Sequence, residues 1–480
     1  MKKWMIRALS ALLIAAFLPV SVLADEYDLN EGSVTVSTTK GADGSTRQDV
    51  SHKGTTKPDS NPTITSNGQQ TGNTVIINAG AGTTANVTIK DANISASSGK
   101  AAIKTGGEGN VNLNVEGTNT VSSGSNYAGV EKANAGNLTI GSESGSGELT
   151  ANGGWHGAGI GGGHYRDAND ITITGGEVTA NGGDGAAGIG GGYYSYGKDI
   201  TISGGKVVAN GSGSAAGIGG GHYGNGSNIT ISGGEVTATG GDYGAGIGGG
   251  YYGNGSNITI SGGEVTATGG DCGAGIGGGY GRGGSNIAIS KDSQVEAVGG
   301  AVGGAGGSSD GCGAAIGNGG NNNRVNGSEI EPDTSGLYTT GKVERKRGDG
   351  TALDTITGTV EPPKPTEPEK SASSEEEADK REPLYRVLNL DGSSLKHQAQ
   401  KADGVLALTA KADGAILTGT LRALGYLQNQ GIEKITFTDG THSAELVLAE
   451  LIAKGQPEDV YVLTLGTENT LTLNGEAIDF

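Results

Sequence analysis

Positive charge is what this chain lacks. Its 32 Lys and Arg are outnumbered by 51 Asp and Glu, for a net charge of −19. Phosphate binding needs clustered Lys and Arg, so nucleic acid and anionic membrane are excluded as partners. An acidic polysaccharide would be repelled as well, unless divalent cations bridge it. Helical periodicity is missing before about the last hundred residues, and Leu is nearly absent from the central block, which excludes leucine-rich repeats. Long apolar runs are missing too. The run Ala11–Val20 is short for a membrane span. Placed between Lys2, Lys3 and Arg7 on one side and Val22-Leu23-Ala24 on the other, it reads as a secretory signal, residues 1–24. No Cys follows it to carry a lipid, and Ile478-Asp479-Phe480 offers no sorting signal. The expected location is secreted or at the extracellular cell surface, without membrane insertion.

Glycine, by contrast, is abundant: 96 of 480 residues, with no collagen triplet period. The sequence is nevertheless not low-complexity, because isoleucine returns on a fixed step. Gly-Ala-Gly-Ile-Gly-Gly-Gly and its variants place Ile160, Ile189, Ile218, Ile247 and Ile276 29 residues apart. A second marker, Ile171, Ile200, Ile229, Ile258 and Ile287, keeps the same step. Two markers on one period mean a stacked structural unit. Within Asn228–Tyr252, Ile229 and Ile231 alternate with Thr230, and Val236 and Ala238 with Thr237. Ala245 and Ile247 form a third inward run, and Gly-rich corners separate the three. The unit is too short for a propeller blade and matches one coil of a parallel β-helix. Crossover handedness makes the coil right-handed. The fold class is all-β: a right-handed parallel β-helix of about ten 29-residue coils, then a small α+β domain.

The domain boundaries follow. Residues 25–72 form a polar N-terminal cap with one strand at Ser33–Thr38, and 73–345 the β-helix, with irregular early coils at Val87–Ile89, Val111–Val115 and Leu138–Ile140. Residues 346–380 are a strand and a Pro/Glu-rich linker, and 381–480 the α+β domain. In that domain, strands are predicted at Arg386–Leu390, Lys434–Phe437 and Val460–Leu465, and helices at Thr420–Gln430 and Ser443–Ala453, the latter capped by Ser443. Asn474-Gly475 marks a hairpin turn.

Stacking turns the sequence into columns. His164, Tyr193, His222, Tyr251 and Tyr280 form one, and Tyr165, Tyr194, Tyr223 and Tyr252 the next, ending at Gly281. At about 4.8 Å per rung the double stripe is ~19 Å long. It is a candidate platform for sugar rings, and equally a self-supporting stack. Asp170, Asp199, Asn228, Asn257 and Asn286 form a polar column suited to satisfying backbone groups. Glu177, Lys206, Glu235 and Glu264 read as surface pairing, and Thr172, Thr201, Thr230 and Thr259 as exposed strand residues rather than an ice-binding array. Asp184, Asp242 and Asp271 share a corner and are weak candidate calcium ligands, without a calcium nonapeptide motif. Cys272 and Cys312 each lie four residues before a marker isoleucine, which puts them on successive coils within reach of a disulfide.

Catalysis has little support. The G-x-G-x-x-G at Gly157–Gly162 recurs in every coil and opens no helix. The non-repeating residues Arg166, Asp167 and Arg282 show no matching second group for a hydrolase or lyase.

The segments Gly-Ser-Asn-Ile-Thr-Ile-Ser-Gly-Gly-Glu-Val-Thr-Ala-Thr-Gly-Gly-Asp and Gly-Ala-Gly-Ile-Gly-Gly-Gly, with Val111–Gly117, resemble a known family over about 73–320. It is the Gly-rich, carbohydrate-binding-domain-containing β-helix proteins of anaerobic bacteria, within the pectate-lyase-like superfold. The resemblance implies a secreted or surface protein that binds a polysaccharide, pectin-like and calcium-assisted, with no cofactor otherwise. It carries over no binding residues and leaves the C-terminal domain out. Polysaccharide binding or adhesion through the aromatic columns is the leading expectation. A β-helix lyase or hydrolase is the second, and a stalk presenting residues 381–480 the third.

Overall fold

The computed structural model describes residues 25–361 and 385–478, apart from 42–43, 302–311, 322–325, 349–350 and short stretches of the second range (391–394, 396, 403, 413, 430–431, 456–458, 468 and 475). The predicted signal segment, most of the predicted linker and Gly475 of the predicted hairpin turn lie outside the described residues. The chain divides into two compact units at Glu367/Pro368.

In the first unit each coil contributes three short strands, for example Ile171–Ile173, Glu177–Asn181 and Ile189–Gly190. These stack into three long sheets, named here the Ile-Thr-Ile, Val-Thr-Ala and Ile-Gly faces, of 10, 11 and 12 strands. Pairing is parallel and follows the period: Ile171 opposes Ile200, Val178 opposes Val207, and Ile160 opposes Ile189. Strand alternation sends Ile229, Ile231, Val236 and Ala238 inward, with Ala245 and Ile247 from the third run, all at most 1% exposed. Fully burying one such Ile or Val contributes about 1.5–3 kcal/mol, so a coil gains its core only from its neighbours.

From Gly161 onward, one column requires glycine. Gly161, Gly190, Gly219, Gly248, Gly277 and Gly317 have φ of 132–140°, and a Cβ at Gly219 would lie 2.1 Å from the Gly248 carbonyl oxygen. The polar column is a ladder of amides. Asn228 donates to Asp199 at 2.8 Å, Asn257 to Asn228 at 3.0 Å and Asn286 to Asn257 at 3.0 Å. All five members are left-handed, which Asn and Asp tolerate. A second amide ladder runs through Asn152, Asn181 and Asn210. Lys206 pairs with Glu177 at 3.1 Å on the open surface.

The solenoid begins earlier than Asn73. Glu26–Asp28, Val34–Lys40, Thr63–Thr65 and Gln70–Thr71 already belong to the three faces, so 25–72 builds the first coils rather than a separate cap. An antiparallel excursion, Thr46–His52 and Thr55–Pro58, interrupts the period there and hides it. At the other end Lys342–Lys346 continues the Val-Thr-Ala face, and Ala352–Thr357 folds back on it antiparallel. Buried Arg345 ties this end to Asp354 and Glu331.

Cys272 and Cys312 are both buried, four residues before the paired Ile276 and Ile316. No S–S bond joins them in this structure. The pairing of Ile276 with Ile316 puts the two cysteines on successive coils.

The second unit holds a five-stranded and a four-stranded sheet with helices Leu421–Asn429 and Leu448–Ile452. The strand expected at Arg386–Leu390 is Arg386–Leu388, and that at Val460–Leu465 is found as such. The helix expected at Ser443–Ala453 is corrected. Ser443–Val447 is a strand antiparallel to Lys434–Thr438, and helix occupies only Leu448–Ile452. The cause is Asp439, whose carboxylate accepts the N–H groups of Thr441 at 2.8 Å and His442 at 2.6 Å and turns the chain into a hairpin. No helix among the described residues is long and apolar enough to cross a membrane.

Candidate functional site

The corner after the glycine triplet carries the aromatic residues, and a repeated turn builds it. The N–H of Arg166 donates to the Gly163 carbonyl at 3.0 Å, that of Ser195 to Gly192 at 3.1 Å, and that of Gly224 to Gly221 at 2.7 Å. The third residue of each turn is Tyr165, Tyr194, Tyr223 or Tyr252, with φ of 53–60°; in the next coil it is Gly281, φ 68°. Positive φ at this turn position ordinarily calls for Gly or Asn.

All nine predicted aromatic residues meet at this one corner, as two stacks. The inner stack runs His156, Tyr193, His222, Tyr251, Tyr280, with ring centroids 4.2, 5.0, 5.3 and 5.3 Å apart. The outer stack runs His164, Tyr165, Tyr194, Tyr223, Tyr252, at 4.0, 5.6, 5.3 and 5.9 Å. His164 therefore leaves its expected column: it lies flat against Tyr165 and only edge-on to Tyr193. His156, from the column that also holds Tyr243 and Cys272, takes its place. The signal was available, since His156 and Tyr243 sit four residues before marker isoleucines, as the cysteines do. The guanidinium of Arg282 closes the outer stack over Tyr252 at 5.9 Å.

Exposure singles out the middle of the outer stack. Tyr165, Tyr194 and Tyr223 are 69, 45 and 43% exposed, whereas His164, Tyr252 and the inner rings are half-buried and Tyr280 is buried. Trp155 and Tyr196 add exposed aromatic surface beside them. Within a coil the rings meet edge to face, 4.3 Å apart in Tyr193–Tyr194, His222–Tyr223 and Tyr251–Tyr252. A hydrogen bond to Tyr194, then burial, pushes the Tyr193 phenol up to about 12. Burial, then a hydrogen bond to Tyr252, raises Tyr251. Burial lowers the imidazoles of His156 and His222, and Asp184 opposes this in both.

Parallel rings this close overlap face to face with an offset. Their faces are occupied by each other, so the outer stack offers solvent a row of ring edges and phenol hydroxyls. This differs from the flat platform expected for sugar faces.

One non-repeating group stands at the head of the stacks. Glu131, 1% exposed, occupies the place taken by Gly161 in the next coil. It accepts the Ala128 N–H at 2.7 Å and lies 3.9 Å from the Arg166 guanidinium. Burial raises its carboxyl, opposed by the Ala128 N–H and by Arg166. Lys132, also buried, is lowered by burial and donates to the Asn134 carbonyl. Sequence reading missed both, because they precede the regular block.

Of the calcium candidates, only Asp242 and Asp271 occupy adjacent coils; Gly213 stands between Asp184 and Asp242. No group of three or more His, Cys, Asp or Glu able to hold a metal ion occurs among the described residues.

A sequence family described as a beta helix repeat matches residues 144–164, 171–193, 200–222, 229–251 and 258–280. The five matched windows end on His164, Tyr193, His222, Tyr251 and Tyr280, one per coil. Fold and repeats together define a parallel β-helix protein. No curated protein and no solved structure matches the chain.

Proposed function

We propose that this parallel β-helix is a secreted or cell-surface protein that binds polysaccharide without cleaving it, through the outer tyrosine stack. The observation that supports this most is the left-handed backbone at Tyr165, Tyr194, Tyr223 and Tyr252. A bulky residue held there costs about 1–3 kcal/mol, whereas Gly281 shows what the turn accepts without strain. Stacking returns about 0.5–1.5 kcal/mol per ring pair. The strain offsets a good part of that return, so the exposed tyrosines hold the fold less strongly than the same rings would on an unstrained backbone. Their use lies in what they present. Ring edges are electropositive and phenols both donate and accept hydrogen bonds, which suits sugar hydroxyls repeated about once per rung. A column of equivalent sites favours a repeating polymer over a single small molecule. The test is a glycan array probed with the full chain and with Tyr194→Gly/Tyr223→Gly: binding by the first and loss in the second is the expected result.

A further inference from the structure

We propose that the step at the head of the stacks, between Asn126 and Arg166, is a terminal subsite that takes one neutral sugar at a chain end. It rests on the polysaccharide reading above and adds a polarity to it. The step has a simple origin. Val130 is followed by the next inward strand residue, Leu138, eight positions on, whereas Ile160 and Ile171, like Ile189 and Ile200, are eleven apart. The coil before the stacks thus lacks three corner residues, and the corner bearing His164 overhangs it.

Below the overhang lies an open groove of about 360 Å³, lined by Ser98, Ser125, Asn126, Tyr127, His164 and Arg166 among others. That is near the low end of the ~300–1,000 Å³ typical of small-molecule sites, room for a single sugar. Its lining joins aromatic surface to hydroxyl, amide and guanidinium donors. The geometry is fixed from beneath. A Cβ on Gly163 would lie 2.9 and 3.0 Å from the two Glu131 oxygens and 2.4 Å from the Asn126 carbonyl oxygen, so this corner sits directly on the buried carboxylate. Arg166 is 62% exposed and meets Glu131 through Nε at 3.9 Å, which leaves its terminal N–H groups to a ligand. Paired in this way, in a chain of net charge −19, Arg166 offers hydrogen bonds to vicinal hydroxyls rather than free positive charge to a uronate. The His164 ring lines the groove, with its Nε2 buried away from it. The opposite end of the outer stack is not equivalent. There Arg282 donates to the Tyr252 carbonyl at 3.1 Å and covers the Tyr252 ring.

The test uses the full chain and a probe panel of cello-, xylo-, manno- and chitohexaose, each with its parent polymer. Arg166→Gln keeps one amide donor on a shorter side chain and removes the guanidinium fork with its charge. Asn126→Gly removes the amide and accepts the left-handed backbone, φ 71°, found there. With folding verified by circular dichroism, each is expected to weaken hexaose binding at least tenfold and polymer binding less than twofold, since internal sugars still engage the tyrosines. Equal weakening of hexaose and polymer, or no change in either, overturns the subsite while leaving the tyrosine reading standing. Wild-type protein that binds none of the probes overturns both.

Discussion

His156 stacks on Tyr193 with centroids 4.2 Å apart and planes 21° from parallel, although the two come from different coils. The Tyr193 N–H donates to the His156 carbonyl at 3.0 Å, so backbone pairing sets the ring contact. The inner stack is thereby part of the solenoid's own bonding, and the outer stack rides on it.

That division predicts opposite responses to mutation. Tyr194→Gly relieves a left-handed residue, so stability is expected to stay within about 1 kcal/mol of wild type. Tyr251→Gly removes a half-buried ring that contacts both neighbours and is expected to cost more, about 2–4 kcal/mol. Urea denaturation measures both. A loss above about 2 kcal/mol in Tyr194→Gly would mark the outer stack as structural.

The histidines give a pH dependence. Burial holds His156 and His222 below the usual imidazole range, so the folded state takes up protons less readily than the unfolded chain. Unfolded imidazoles titrate near about pH 6.5. Their contribution to stability is complete above that pH and is lost as pH falls through it toward the folded values. Melting temperature is expected to drop between pH 7.5 and 5, and the drop to shrink in His156→Gln/His222→Gln. An identical drop in the double variant contradicts the assignment.

The glycine column is sharply position-dependent. Gly219→Ala drives a Cβ into the Gly248 carbonyl and is expected to cost about 3 kcal/mol or more. Gly145, also left-handed but with nothing within 4 Å of an added Cβ, is expected to cost about 1 kcal/mol as Ala. Thermal unfolding of the two variants side by side checks the contrast.

Cys272 and Cys312, buried on successive coils, are expected to join when the protein is made in an oxidising compartment. Intact mass two hydrogens below the reduced value supports the clip. Two alkylatable thiols in the unfolded protein refute it.

Much of this was legible from the period. Register is fixed wherever Ile and Gly recur on the same step, since one core must be filled identically in each coil. The first coils escaped because the hairpin around Arg47–Asp49 breaks the spacing. Ser443–Val447 escaped because one turn-forming carboxylate, Asp439, overrides helical spacing. At the site, sequence located all nine aromatic residues. It could not foresee that the rings spend their faces on each other, nor that His164 would join the outer stack while His156 heads the inner one. Those outcomes depend on side-chain directions at a left-handed turn, which column position does not specify.

The most direct measurement is the affinity of the full chain for the best-bound polysaccharide of the array, against Tyr194→Gly/Tyr223→Gly with its fold verified. Loss of at least tenfold in affinity, with the melting temperature nearly unchanged, is the predicted result. Undiminished binding by the double variant, or none by wild type to any glycan, would contradict a tyrosine-based polysaccharide site.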